Sequence, residues 1–355
     1  MQTGPGGRFE ELDVVRGLAA VCVVLSHYSS HCARYFGAGP FGVHLATGYG
    51  FYAVELFFMI SGFVIYFTLE RSATWKDFAF SRVTRLYPAY WTALTLMVVL
   101  QSVLFGKPFW VGGYVVNLTM FQEFVGFSNL DNVFWSLTVE LAFYVIMGLL
   151  FATGLLPRIE VVTAIWLTLA CLWSVADQYL GIALPAALPR MLILRHVPFF
   201  VAGITFYRIA RKGPTPARLA LLLAALAAAG LIDGMWDADV AAVEWTDVLR
   251  RLGVAAILFG IFALAVTGRL RFAISPVTLW LGSISYSLYV SHRNLGYSTL
   301  FRLHGAGVSI STSFLITLAG ALILALVLSY AVERPTMRAL RQWYRARPPA
   351  VAARP

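Results

Sequence analysis

Long apolar runs separated by short polar connections make up most of the chain. Ten runs are long enough to cross about 30 Å of hydrocarbon as helices, and they lie at 14–32, 49–69, 86–105, 131–152, 160–180, 190–208, 217–232, 249–267, 275–296 and 312–332. The segment 109–127 is also apolar enough to form a re-entrant helix, an interfacial helix or another span. This pattern predicts an all-α integral membrane protein with about ten transmembrane helices in one bundle.

Basic residues are concentrated in every second connection between these runs. The connections rich in Lys and Arg are 70–85, 208–218 and 268–274, together with the tail after residue 333. By contrast, the connection 233–248 carries acidic residues and no basic one. Because Lys and Arg are enriched in cytoplasmic loops, both termini are predicted to be cytoplasmic. We expect 1–340 to form a single transmembrane domain and 341–355 to form a basic, disordered cytoplasmic tail.

The composition agrees with a membrane protein and argues against other classes. Of the 355 residues, 59% are hydrophobic and 12% are charged, and the mean hydropathy is +0.75. The net charge of +10 is accounted for by the basic connections, so a lipid bilayer is an expected partner and nucleic acid is not.

The N-terminal segment has no signal-peptide pattern, so the first run is expected to remain as an anchor. No Cys or His motif has metal-ligand spacing, and no metal is expected.

Two ionisable side chains share one face of the first apolar run. Eleven residues separate Arg16 from His27, so on a helix they lie within roughly 20° of each other and about 16 Å apart along the axis. Ionisable groups in membrane helices usually face the bundle interior or a wet cavity, which favours a functional site. The structural alternatives are an ion pair between Arg16 and Asp13, and a hydrogen-bonded His27 between helices.

Five further motifs follow this run in order along the chain. They are ELFFMISGF at 55–63, SRVTRLYPAYW at 81–91, FWSLTVELAFY at 134–144, LGSISYSLYVSH at 281–292 and SYAVERP at 329–335. Together with Arg16 and His27, these motifs resemble those of acyltransferase family 3, a family of membrane acyltransferases. The resemblance implies helices that enclose a central tunnel, and an enzyme that transfers acyl groups other than aminoacyl groups. Because the chain has no room for the hydrolase-like domain of some members, it resembles a stand-alone member.

The resemblance also implies roles for the charged residues near the tunnel. His27 is expected to act as the base that takes the proton of an acceptor hydroxyl, or as a transient acyl carrier. Arg16 is expected to hold a phosphate of the donor or the acyl carbonyl oxygen. Arg82 and Arg85, on a cytoplasmic amphipathic helix, are expected to bind coenzyme A phosphates or else to contact lipid headgroups.

Polar residues in the fourth run form a second candidate group. Glu140 could orient an imidazole, accept a hydrogen bond from an acceptor sugar, or pair with Arg16. Trp135 and Ser136 precede it and are candidate substrate contacts, as is Asp13 in the first run.

The ninth run ends in a third polar patch. Tyr286 and His292 are expected to line the pore. In the family an apolar residue and a proline commonly follow this histidine, whereas Arg293 and Asn294 stand here.

Three other polar residues have structural interpretations. Glu333 is expected to pair with an arginine, and Glu55 to be solvated near the outer surface. Ser61 lies beside Gly62, where small residues favour helix packing, and no nucleophile elbow surrounds it.

The sequence therefore predicts an O-acyltransferase of the plasma (bacterial inner) membrane. The expected donor is cytosolic acetyl-CoA, and the expected acceptor is a hydroxyl of a carbohydrate or a glycosylated small molecule. A proton-coupled transporter of a glycan or metabolite is the main alternative, and a scaffold in polysaccharide assembly is a third. A homodimer is one option for the oligomeric state.

Overall fold

The computed structural model describes residues 9–42, 49–182, 184–185, 187–232 and 245–346, and these residues form helices and no strand. The helices are α1 (Glu10–Phe36), α2 (Ala53–Leu69), α3 (Trp75–Phe105), α4 (Val111–Asn117), α5 (Phe134–Ala152), α6 (Ile159–Tyr179), α7 (Ala187–Met191), α8 (Val197–Lys212), α9 (Pro216–Leu231), α10 (Trp245–Val266), α11 (Pro276–Ser291), α12 (Arg293–Gly305), α13 (Ile310–Val327) and α14 (Arg334–Arg345). A π-helical turn, Leu328–Glu333, joins α13 to α14. Most of the acidic connection at 233–248 lies outside the described residues.

Each of the ten predicted runs contains a helix, but the helices differ in length. Within the described residues, seven helices are long and apolar enough to cross a membrane: Glu10–Phe36, Gly50–Leu69, Trp75–Phe105, Phe134–Ala152, Leu156–Gln178, Thr246–Val266 and Ile310–Arg345. In the other three runs, α8, α9 and α11 have 16 residues each and span about 24 Å. The number of spans and the side on which the termini lie stay predictions.

Two predicted segments have a different local structure. The segment 109–127 contains only the short helix α4 and a 3₁₀ turn, Gln122–Val125, and it forms no further span. Residues 341–345, assigned above to a disordered tail, form the last turn of α14, and residues 347–355 lie outside the described residues.

The ninth run is not one helix, because an aspartate from another segment interrupts it at His292. The backbone N–H of Asn294 donates to Asp131 Oδ2 (3.0 Å), and the Arg293 guanidinium lies 3.5 Å from Asp131 Oδ1. Asp131 is buried, so these contacts replace the ordinary helical bond of Asn294. The Arg293–Asn294 pair, where this chain departs from the family pattern, therefore begins a new helix, α12.

Arg82 and Arg85 lie on a spanning helix and not on a separate amphipathic one, which corrects the sequence prediction. The helix α3 begins with a capping box between Thr74 and Asp77 and runs through Pro88 without ending. It therefore carries both arginines in its first three turns, at one end of the bundle.

Glycines let pairs of helices approach closely at the centre of the bundle. Gly17 of α1 meets Gly282 of α11, and Gly62 of α2 meets Gly203 of α8. These two helix pairs make the most extensive contacts in the fold. Small residues at such crossings allow backbone contact between membrane helices. The crossing at Gly282 also presents its carbonyl to the Arg16 side chain.

Replacing Gly17 with alanine is expected to lower the melting temperature of the purified protein. The added Cβ would lie 2.5 Å from Gly282 N and 2.9 Å from Leu281 C, which are backbone atoms that cannot rotate away. Overpacking of this kind costs about 1–3 kcal/mol. Gly253→Ala in α10 is the control, since nothing lies within 4 Å of its added Cβ and alanine favours the helix. Equal melting temperatures for the two variants would contradict the tight crossing.

Candidate active site

A central cavity of about 120 Å³ lies between α1, α2, α3, α5 and α11. Six of the ten candidate residues named from the sequence line it: Arg16, Arg82, Arg85, Ser136, Glu140 and Tyr286. These residues are far apart in the sequence, and the helix crossings bring them to one chamber. The cavity therefore combines cationic, acidic and hydroxyl groups inside the bundle.

The Arg16 side chain, which lines the central cavity, is bound by groups from α1 and from α11. Its guanidinium pairs with Asp13 Oδ1 (2.8 Å) and donates to Gly282 O (2.8 Å) and Ser285 Oγ (3.0 Å). The ion pair with Asp13 foreseen from the sequence is present, and the same side chain also lines the central cavity. The two interpretations are thus compatible, because Asp13 fixes the orientation of a cation that faces the chamber.

Glu140 is bound by two hydroxyl groups. Ser61 Oγ donates to Glu140 Oε1 (2.8 Å), and the Tyr144 hydroxyl makes a short hydrogen bond to the same oxygen. Among the described contacts no ion pair joins Glu140 to Arg16. The sequence indicated only a packing role for Ser61. Its hydrogen bond to Glu140 was not foreseen because the two residues are 79 positions apart and lie on different helices.

Arg85 and Arg82 have different surroundings. Arg85 forms a buried ion pair with Glu333, whose other oxygen accepts from Ser287 Oγ (2.7 Å), which confirms that Glu333 pairs with an arginine. The Arg82 guanidinium lies over the Tyr144 ring at 5.9 Å, and no carboxylate in the described structure lies within 4.0 Å of it. Arg82 is consequently the cation whose charge is least compensated in the chamber.

A larger cavity of about 590 Å³, here called the vestibule, adjoins the central cavity at the N-terminal end of α1. The two share Arg16 and Arg85. Further cations of the vestibule come from one face of α14, at Arg334, Arg338 and Arg341. Arg341 belongs to the segment predicted above to be a disordered tail, although the spacing of these arginines by four and three residues indicates one face of a helix.

His27 lies beyond the other end of the central cavity and does not line it. Its Nδ1 is 2.8 Å from the Tyr297 hydroxyl oxygen, and its ring packs 4.7 Å from Phe51 and 5.2 Å from His292. Arg16 contacts α11, and His27 contacts His292 at the end of α11, so the two residues lie on the same face of α1. The residue that connects the chamber to this histidine pair is Tyr289, whose ring lies 5.9 Å from His292.

Tyr289 and Ser136 close the chamber below the histidines. Their hydroxyl groups are 2.6 Å apart, and the Tyr289 ring packs 5.7 Å from Phe57. His292 Nδ1 donates to Tyr289 O (2.9 Å), and its buried Nε2 has no hydrogen-bond partner in the described part of the chain. These side chains thus form a layer between the central cavity and His27.

One aromatic residue, Trp135, and one acidic residue, Glu55, lie elsewhere than expected. Trp135 points to a separate cavity, which it lines with His196. Glu55 is only 1% exposed and lies 3.3 Å from His196 Nδ1, so the expectation that it is solvated was wrong. The sequence did not indicate this pair because 141 residues separate its members.

The described residues thus form a helical bundle with a cationic vestibule and a small polar chamber, an arrangement typical of functional sites inside membrane bundles. The chain belongs to acyltransferase family 3: the family model, described as an acyltransferase domain, matches residues 9–334. It is therefore a membrane acyltransferase that transfers groups other than aminoacyl groups.

Three curated relatives are similar to the chain. Acyltransferase MdmB of Streptomyces mycarofaciens is 27% identical over 390 residues, covering 98% of this chain and 96% of MdmB. The exopolysaccharide production protein ExoZ of Rhizobium meliloti is 26% identical over 328 residues, 84% of this chain and 92% of ExoZ. Protein 2 in the picA locus of Rhizobium radiobacter is 32% identical over 157 residues, 42% of this chain and 68% of that protein. No solved structure gives a significant match.

Proposed function

We propose that the protein transfers acetyl from acetyl-CoA to a hydroxyl of a glycan or glycosylated small molecule. The observation that supports this most is the pair of adjoining cavities that share Arg16 and Arg85. A cationic vestibule that narrows to a small polar chamber suits a donor with an anionic nucleotide and a small acyl group. The name of the relative ExoZ supports a polysaccharide acceptor.

The donor is proposed to bind with its phosphates in the vestibule. Arg334, Arg338 and Arg341 of α14, with Arg85, are the cations available to the phosphates, and guanidinium groups bind phosphate in a bidentate manner. The protein is proposed to lie in the plasma membrane. Because the connections at this end of the bundle are rich in Lys and Arg, this end is proposed to face the cytoplasm.

The central cavity favours a short acyl group. Its volume is about 120 Å³, which suits a short acyl group such as acetyl better than a long acyl chain. Arg16 is the cation placed to bind the thioester carbonyl oxygen, where negative charge develops during acyl transfer.

His27 is proposed to act at the acceptor end of the chamber. The acceptor oxygen forms a bond to the acetyl carbon, the carbon–sulfur bond breaks, and the hydroxyl proton passes to His27 Nε2 and then to the coenzyme A thiolate. This requires Nδ1–H to donate to the Tyr297 oxygen, since only then does Nε2 carry the lone pair. Transient acylation of Nε2 is the alternative route and needs the same tautomer.

For either route the acetyl carbon must come within reach of the imidazole. The Ser136–Tyr289 hydrogen bond lies between the central cavity and the histidines, so this layer is proposed to open when the donor binds.

Replacing both Arg338 and Arg341 with glutamine is expected to weaken acetyl-CoA binding about tenfold, or about 1.4 kcal/mol, because two phosphate ligands are lost. Equilibrium binding of acetyl-CoA to protein in nanodiscs measures this. The control removes two exposed arginines outside the vestibule, Arg158→Gln with Arg269→Gln. Equal binding by both double variants would contradict the proposed donor site, and no binding by the wild type would favour a transporter.

A further inference from the structure

A third cavity, of about 380 Å³, lies at the opposite end of α2 from the vestibule and is here called the tryptophan cavity. Its polar and aromatic walls include Glu123, Asn132, Trp135, Arg190, Arg195 and His196. None of these side chains belongs to the donor cavities described above. The tryptophan cavity therefore has no assigned ligand.

His196, which lines this cavity, forms a buried carboxylate–imidazole pair with Glu55. His196 and Glu55 are 6% and 1% exposed, and Nδ1 lies 3.3 Å from Glu55 Oε1. With Glu55 ionised, Nδ1–H donates to it and the lone pair stays on Nε2. The ring is fixed by Phe58 at 4.9 Å and Trp135 at 5.3 Å.

This pair is expensive to keep in a membrane bundle. Glu55 Oε2 is buried, and no hydrogen-bond partner for it exists in the described residues. A buried polar atom without a partner destabilises the fold, because its lost hydration is not replaced. Such a cost is expected where the group serves binding or proton transfer and not packing alone.

The remaining walls indicate the chemistry of the ligand. Arg190 and Arg195 provide two cations, whereas the one acidic side chain among the cavity walls in the described residues, Glu123, already accepts a hydrogen bond from Asn129. Phe124 and Trp135 add apolar faces. Pockets of this kind select ligands that combine apolar ring faces, hydroxyl groups and an anionic group.

The tryptophan cavity is separated from the central cavity by a single layer of side chains. Phe58 lines the central cavity while its ring packs on His196. On α5, Ser136 and Leu137 face the central cavity, and the flanking Trp135 faces the tryptophan cavity. A ligand in this cavity would therefore lie next to the chamber that holds the acetyl group.

We propose that the tryptophan cavity binds the acceptor, and that the acceptor is a sugar carrying a carboxylate or a phosphate. Arg190 and Arg195 bind the anionic group, and His196 Nε2 accepts a hydrogen bond from a sugar hydroxyl other than the one that is acetylated. This inference rests on the acyl transfer proposed above and names its acceptor class.

Equilibrium binding of three saccharides to the full chain in nanodiscs tests the assignment. The probes are an oligoglucuronate tetrasaccharide, glucose 1-phosphate and neutral maltotetraose. We expect at least one anionic probe to bind more tightly than maltotetraose, and the Arg190→Gln, Arg195→Gln double variant to weaken that binding at least tenfold. The Arg158→Gln, Arg269→Gln double variant is the charge-matched control and is expected to bind like the wild type.

The two anionic probes separate a carboxylate from a phosphate as the recognised group. Failure of both to bind, equal binding of maltotetraose, or wild-type binding by the Arg190→Gln, Arg195→Gln variant would overturn the proposal. Acetyl-CoA binding and the melting temperature of each variant report on its fold. If the wild type binds an anionic saccharide but does not bind acetyl-CoA, the proposed function is overturned and the saccharide site is retained.

Discussion

Replacing His27 with glutamine is expected to lower the rate of acetyl transfer by about 10²–10⁴-fold, the contribution typical of a general base. Glutamine preserves much of the side-chain volume between Phe51 and His292 but carries no basic nitrogen. Acetyl-CoA binding should change little, since His27 does not line the donor cavities. The measurement is transfer of labelled acetyl by purified protein across a panel of glycan acceptors.

Two neighbouring substitutions sharpen this result. His31→Gln is the matched control, because it lies one turn further along α1, is buried and stacks on Tyr297 at 4.0 Å. It should retain most of the rate. Tyr297→Phe removes the oxygen proposed to accept from His27 Nδ1–H, and its rate should fall between those of the two glutamine variants. If His27→Gln transfers acetyl as fast as His31→Gln, His27 has no part in the chemistry.

Arg85→Gln is expected to destabilise the protein more than Glu333→Gln. Removing Arg85 leaves the Glu333 carboxylate, 2% exposed, with only the Ser287 hydroxyl as a described partner. Loss of one member of a buried ion pair costs about 3–5 kcal/mol. Removing Glu333 costs less, about 1–3 kcal/mol, because the Arg85 side chain is 26% exposed and lines two cavities. Thermal unfolding in detergent measures the order.

The double variant Arg85→Gln, Glu333→Gln separates stability from donor binding. It should recover much of the melting temperature lost in Arg85→Gln, since no unpaired buried charge remains. It should nevertheless bind acetyl-CoA more weakly than Glu333→Gln, which keeps the cation. A double variant as unstable as Arg85→Gln, or one that binds acetyl-CoA as well as Glu333→Gln, would contradict the dual role of Arg85.

The sequence predicted those features that depend on local pattern. Apolar runs located the helices because hydrocarbon-spanning length is a property of one segment. The spacing of Arg16 and His27 predicted that they share a helix face, because helix geometry fixes which residues do so, and the structure shows that this face contacts α11 and the residue at its end. Family motifs identified six residues of the central cavity before any contact was known.

The features that sequence did not predict depend on contacts between distant segments. The hydrogen bond from Asn294 to Asp131 ends α11 at a point where the apolar run continues. The pairing of Glu55 with His196 makes a buried site out of a residue that begins a span and was therefore expected to be solvated. Such contacts follow from which helices cross, and the glycines Gly62 and Gly203 are a local sign of one such crossing.

The most direct test of the account is a cryo-electron microscopy structure of the protein with acetyl-CoA in nanodiscs. The account predicts the phosphates of the donor against Arg334, Arg338 and Arg341 in the vestibule, and the acetyl group in the central cavity beside Arg16. A donor bound outside the vestibule, or an acetyl group that does not enter the central cavity, would contradict it.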